Sequence, residues 1–254
     1  MLLSHQHDRN ITIVVGIITM FYFKLDYYER RAHPQISLIP NNLYNRYFDS
    51  TGVSNQLVDL LATPTLQEAI SLSNNLIADE EIEKEQLLIC LLTHAKQHDY
   101  DLQLLQTCLE KIALPFEVSF LPICSFGFTD LLESLSRSLT SEELNTLLAQ
   151  NNFAVFRRAC HNGQLAIIEW LWQQCLEEKR QIMLATGNFK AFRWACKNGQ
   201  LAMVEWLWQQ CSEEKRQAML AVNDFETFPW ACKNGQLAII EWLWQECPED
   251  EHQA

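Results

Sequence analysis

Apolar residues in the second half of the chain recur at helical spacing, in blocks that restart every 36 residues. Leu201, Met203, Val204, Leu207, Trp208 and Cys211 are apolar, while Glu205 and Gln209 between them are polar. At roughly 100° per residue the apolar set covers a continuous arc of about 160°, which predicts a helix buried between neighbours. Just upstream, residues 192–198 read as a shorter helix ended by Gly199, a residue that accepts the left-handed backbone of a C-cap. The following residues 212–220, SEEKRQAML, favour a third helix by propensity. Asn223-Asp224 then predicts a turn.

The block FRWACKNGQLAMVEWLWQQC, residues 192–211, occurs three times. Residues 156–175 and 228–247 each match it at 16 of 20 positions. A fixed period of this length marks a repeat array, in which units too small to bury their own apolar faces stack on neighbours. A fainter copy precedes them. A shift of 36 places Phe120 on Phe156, Cys124 on Cys160, Gly127 on Gly163, and Leu131 and Leu132 on Ile167 and Ile168, so 120–139 reads as a degenerate copy. Within 84–112, Leu102-Gln-Leu-Leu matches Leu165-Ala-Ile-Ile, but the spacing slips.

Upstream of the array the signals are less regular. Thr65-Leu-Gln-Glu68 and Thr140-Ser-Glu-Glu143 are capping boxes, each predicting a helix start. Residues 79–97 begin with acidic residues and carry Leu87, Leu88, Leu91, Leu92 and Ala95 at helical spacing. Residues 99–114 carry Leu102, Leu104, Leu105, Cys108, Leu109 and Ile112 in the same way. Residues 33–55 are loop-rich, with one short helix at 41–48. The apolar run ITIVVGIITMFYF, residues 11–23, is shorter than the roughly 20 residues of a spanning helix. It reads as a buried or interfacial segment, a weak anchor, or sequence ahead of a start at Met20. The expected organisation is an apolar segment 1–23, a helical region 24–115 and a repeat array 116–254.

Composition narrows the function. With 7 Gly and 7 Pro, the chain lacks the turn residues of a β-sandwich. The net charge of −13 argues against nucleic acid, whose binding comes from neutralising phosphates. That charge is uneven: residues 1–152 carry 9 Lys/Arg against 19 Asp/Glu, while 153–254 carry 10 against 13. Cys160, Cys196 and Cys232 share one repeat position, and Cys175, Cys211 and Cys247 another. With no Cys-x-x-Cys present, they read as buried filler in a reducing, cytoplasmic compartment. No cofactor or metal is expected: His5-Gln-His7 has no further ligands nearby, and phosphate-loop and hydrolase motifs are absent. Cys160-His161 is the only adjacent Cys–His pair, and its histidine becomes Lys197 and Lys233 in the other copies.

The pattern Phe-x-x-Ala-Cys-x-Asn-Gly-Gln-Leu-Ala-Ile-Ile-Glu-Trp-Leu resembles the helix pair of an ankyrin repeat, Leu-x-x-Ala-Ala-x-x-Gly-His-Leu-x-Ile-Val-x-x-Leu. The Thr-Pro-Leu-His entry is missing, and the period is 36 rather than about 33. The resemblance implies an all-α helical-repeat solenoid of helix–turn–helix pairs, here with a third short connecting helix in place of a β-hairpin finger. It implies a non-enzymatic protein–protein interaction scaffold. Divergent arrays of this kind resemble those of effector proteins of intracellular bacteria, which implies secretion into a host cell.

In that family the two residues before the Gly line the binding face, and helical geometry turns their neighbours to the same side. The candidate partner-binding residues are therefore Arg157, Arg158, His161 and Asn162; Arg193, Trp194, Lys197 and Asn198; and Pro229, Trp230, Lys233 and Asn234. They compose a basic, aromatic strip suited to an acidic protein surface or peptide. The alternative is that Trp194 and Trp230 pack under the connecting helices. Trp172, Trp208 and Trp244 are expected in the core, with Trp170, Trp206 and Trp242 forming a ladder on its flank that is either inter-repeat packing or an exposed ridge. The last copy keeps its apolar arc and is followed by PEDEHQA, so self-association or a partner is expected to cover it. A competing reading places an adaptor or enzymatic activity in 24–115, where Ile39-Pro40-Asn-Asn-Leu43 with Tyr47-Phe48 resembles the start of an F-box.

Overall fold

The computed structural model describes residues 36, 38–48, 53–79, 82–98, 100–221 and 227–246. The expectations for 1–23, for the turn at Asn223-Asp224, and for residues 247–254 with Cys247 lie outside these residues. All regular elements among the described residues are helices. By its contacts the chain divides into two compact units, Met1–Asp99 and Tyr100–Ala254.

The first unit is organised around a single helix. Helices α1 (Asn41–Tyr47), α2 (Asn55–Leu61) and α3 (Leu66–Leu76) each pack on α4 (Lys84–Gln97). The leucines of α4 predict a one-sided stripe, yet every residue from Gln86 to Ala95 is buried, because three helices surround it. Its buried polar side chains make hydrogen bonds, although His94 Nδ1 is left without a partner. Gln86 Nε2 donates to Tyr47 O at 2.9 Å, Thr93 Oγ1 donates to Ile89 O at 2.7 Å, and His94 Nε2 lies 2.8 Å from Thr63 O. The helix starts later than its acidic run implies. Ile82 N bonds back to Asp79 O, Ile82 is buried, and Glu83 is extended. Helix α2 has no counterpart in the sequence reading, although Ser54 caps it by accepting from Leu57 N at 3.3 Å.

The second unit contains α5 (Leu102–Ile112), α6 (Phe116–Phe126), α7 (Thr129–Ser136), α8 (Ser141–His161), α9 (Leu165–Gln174), α10 (Glu177–Lys197), α11 (Leu201–Gln209), α12 (Glu213–Ala221), α13 (Thr227–Lys233) and α14 (Leu237–Glu246). The capping box at Thr140 and Glu143 opens α8 as expected. Gly163, Gly199 and Gly235 stand between paired helices with φ of 70, 72 and 67°. Met203, Val204, Leu207, Trp208 and Cys211 are buried, as the arc predicts. Each such side chain contributes about 1.5–3 kcal/mol by leaving water.

Connecting segments are helical, with no β-hairpin finger among the described residues. Helices α8 and α10 each combine a connecting helix with the first helix of the next repeat. They are broken at Asn151-Asn152-Phe153 and Gly187-Asn188-Phe189, all six in the left-handed region. Asn and Gly tolerate that conformation, while Phe153 and Phe189 adopt it at a cost of about 1–3 kcal/mol each. Both phenylalanines are buried, which offsets the strain.

Two details depart from expectation. Trp244 is 51 % exposed, and Cys232 is exposed where Cys160 and Cys196 are fully buried. Both earlier copies of Trp244 carry an arginine on the ring. Arg180 stacks on Trp172 at 5.3 Å and donates to Trp172 O, and Arg216 does the same to Trp208 at 5.5 Å.

Candidate functional site

The strip is built by the docking of one repeat on the next. Asn162 Nδ2 donates to Ser125 O at 3.0 Å, and Asn198 Nδ2 donates to His161 O at 3.0 Å. These two candidates therefore bridge repeats, and Asn198 Nδ2 also donates to His161 Nδ1 at 2.8 Å. Asn234 bonds within its own helix, to Trp230 O.

The remaining candidates come together as alternating rings and cations. Arg158 places Cζ 5.8 Å from the Trp194 ring centroid, and the His161 ring meets Trp194 edge-on at 5.1 Å. One repeat further on, Arg193 Cζ lies 5.4 Å and Lys197 Nζ 5.7 Å from the Trp230 ring. Each indole is half-buried and faces cations of the preceding first helix. Cation–π attraction of about 0.5–1 kcal/mol per exposed pair holds these flexible side chains over the rings. Lys197, Lys233 and Pro229 are exposed. Lys190 completes the cluster, with Nζ 4.5 Å from the Trp194 ring. The sequence reading missed it because it precedes the repeated block that begins at Phe192.

Arg157 and Arg193 also serve the fold. Arg193 Nε donates to Asn188 O at 3.0 Å and Nη2 to Gly187 O at 3.3 Å, while Arg157 Nη2 donates to Asn151 O at 3.2 Å. They satisfy carbonyls left open by the left-handed breaks. Burial, with Arg158 and Lys197 nearby, pushes the His161 pKa below its usual value, favouring the neutral ring that accepts from Asn198.

Cys160 does not pair with His161 as a nucleophile. Its side chain is fully buried, and burial pushes the thiol pKa well up. Among the described residues no three His, Cys, Asp or Glu side chains gather as a metal would require. No described helix is long and apolar enough to cross a membrane.

Trp206 and Trp242 of the indole ladder pack between repeats. Trp172 meets Trp206 edge-on at 5.4 Å, and Trp208 meets Trp242 at 5.1 Å. Trp172 remains half-buried while Trp208 is in the core.

No protein-family model matches the chain, and no curated protein matches it. Among solved structures it is similar to an ankyrin repeat family protein from Legionella pneumophila, with 25% identity and a TM-score of 0.63. The match covers 86% of this chain and 60% of that protein, so the chain spans less than two thirds of its relative's length. With the repeat geometry, this makes the chain an ankyrin-repeat-like, all-α helical-repeat protein.

Proposed function

We propose that the chain is a non-enzymatic interaction scaffold that binds an acidic protein surface or peptide through Arg157, Arg158, His161, Arg193, Trp194, Lys197, Trp230 and Lys233. The observation that carries this reading is the alternation of half-buried indoles with cations across consecutive first helices. On a chain of net charge −13 such a strip steers an acidic partner locally. Its Trp and Arg side chains are the types that most often dominate interface energy.

The competing activity in 24–115 draws less support. Ile39, Leu43 and Phe48, which carry the F-box resemblance, are 1, 0 and 1 % exposed and are committed to their own unit's core. At the other end, exposed Leu237 and Trp244 support self-association through the last repeat. Buried free thiols fit a reducing, cytoplasmic setting, and the Legionella relative fits delivery into a host cell.

Site-specific photo-crosslinking tests the surface. A photoreactive residue at Lys197 is expected to capture the partner, and one at Glu205, exposed on the second helix, is not. Capture from Glu205 alone would move the interface off the strip.

A further inference from the structure

Asn198 makes two bonds with one residue of the preceding repeat. Its Nδ2 donates to His161 O at 3.0 Å and to His161 Nδ1 at 2.8 Å. The first bond fixes which way the amide points, because a carbonyl oxygen can pair only with its NH2 end. The second amide hydrogen is then left for Nδ1, so the imidazole is neutral and carries its own proton on Nε2.

Protonation removes this fit. An Nδ1–H would face an N–H donor. Turning the amide over lets Oδ1 accept from Nδ1–H but sets Oδ1 against His161 O, so one bond between repeats is lost either way. The surroundings also disfavour the charged ring. Burial is the largest cause that lowers its pKa, followed by Arg158 on the same helix and Lys197 on α10. Of the other helices packed on α8, α6 and α9 carry one charged side chain each, Glu117 and Glu169, and neither is among the groups that shift the ring. The junctions on either side have no imidazole. Asn162 docks on Ser125 O, with Ser125 at the position of His161, and Lys197 holds that position one repeat later.

We propose that the His161–Asn198 joint is an acid-sensitive latch in the array: with the ring neutral it holds repeat 192–211 on repeat 156–175, and with the ring protonated it loosens that one junction. The folded pKa lies below the unfolded value of about 6.5, so the latch is complete above 6.5 and is lost as pH falls through the folded value. Arg158 and Trp194 stand on opposite sides of the junction, so its loosening also disturbs the strip.

The test is an NMR titration of the 15N-labelled full chain between about pH 7.5 and 5.0, a range that spans the imidazole transition. Long-range 1H–15N spectra are expected to show His161 as the Nε2–H tautomer at the upper end, with a midpoint below about 6.5. The Asn198 side-chain NH2 resonances are expected to shift with that midpoint. Protection of the amides from Phe192 to Lys197, corrected for intrinsic exchange, is expected to fall about three- to tenfold on acidification. In His161→Lys, the change to the residue type of Lys197 and Lys233, both pH effects are expected to vanish. An Nδ1–H tautomer at the upper end, or a midpoint at or above 6.5, would overturn the latch. So would a His161 titration that leaves Asn198 and the α10 amides unchanged. These outcomes are read from the wild type, so they stand even where the variant fails to fold. They need no partner, so their failure is distinct from a failed crosslink at Lys197.

Discussion

The side-chain amide of Gln236 occupies the space that a Cβ on Gly199 would fill. Gln200 stands in the same way over Gly163, and Gln164 over Gly127. Each repeat thus lays its Gln on the left-handed Gly of the one before, while Gly235 has nothing within 4 Å. Gly199→Ala and Gly235→Ala both impose left-handed strain of about 1–2 kcal/mol. Only Gly199→Ala must also displace a Gln, for about 1 kcal/mol more. Urea denaturation of the two variants is expected to show that difference. Equal losses would mean that the Gln contact contributes nothing.

Leu207 is fully buried in α11. Leu207→Ala is expected to cost ~2–5 kcal/mol by leaving a cavity, and the loss should weaken neighbouring repeats because each stabilises the next. Thermal unfolding checks the magnitude, and hydrogen exchange in α9 and α14 checks the spread. An unchanged melting curve would remove Leu207 from the core.

Acid should loosen the first unit through His94. The ring is fully buried, and its pKa is lowered by burial first and by stacked His98 further, against a raising bond to Thr63. The unfolded chain therefore takes up the proton before the folded one does. Stability is complete above the unfolded value of about 6.5 and is lost as pH falls from there through the lower folded value. Denaturation midpoints across that window should fall with pH for the wild type and fall less for His94→Gln.

Leu237 is 65 % and Trp244 51 % exposed on the last described repeat. Sedimentation equilibrium is expected to show concentration-dependent self-association, reduced by Leu237→Glu. A protein that stays monomeric at high concentration, with no partner bound at this face, contradicts the expectation.

The helix pairs, their left-handed glycines and the buried arc were legible because the 36-residue period repeats each signal. The capping box at Thr140 was legible because its two bonds are local. Other features depend on what lies alongside. Helix α4 is buried all round only because α1, α2 and α3 converge on it. Cys232 is exposed where its earlier copies are buried, so residue type alone does not set its burial. The left-handed Phe153 and Phe189 run against the propensity of phenylalanine and are held by burial. Within the strip, the pairing of cations with indoles requires the register between repeats. Lys190 lies outside the matching block, so only the fold brings it to Trp194.

The most direct test of the central claim is partner retention by the Trp194→Ala, Lys197→Glu double variant. Circular dichroism first confirms an intact fold, and Glu169→Lys, Glu205→Lys, at exposed second-helix positions, serves as control. Partner captured by each immobilised full-length chain is quantified by mass spectrometry. The strip predicts that the first variant loses the partner and the control keeps it. Undiminished capture by Trp194→Ala, Lys197→Glu would show that the strip is not the binding site.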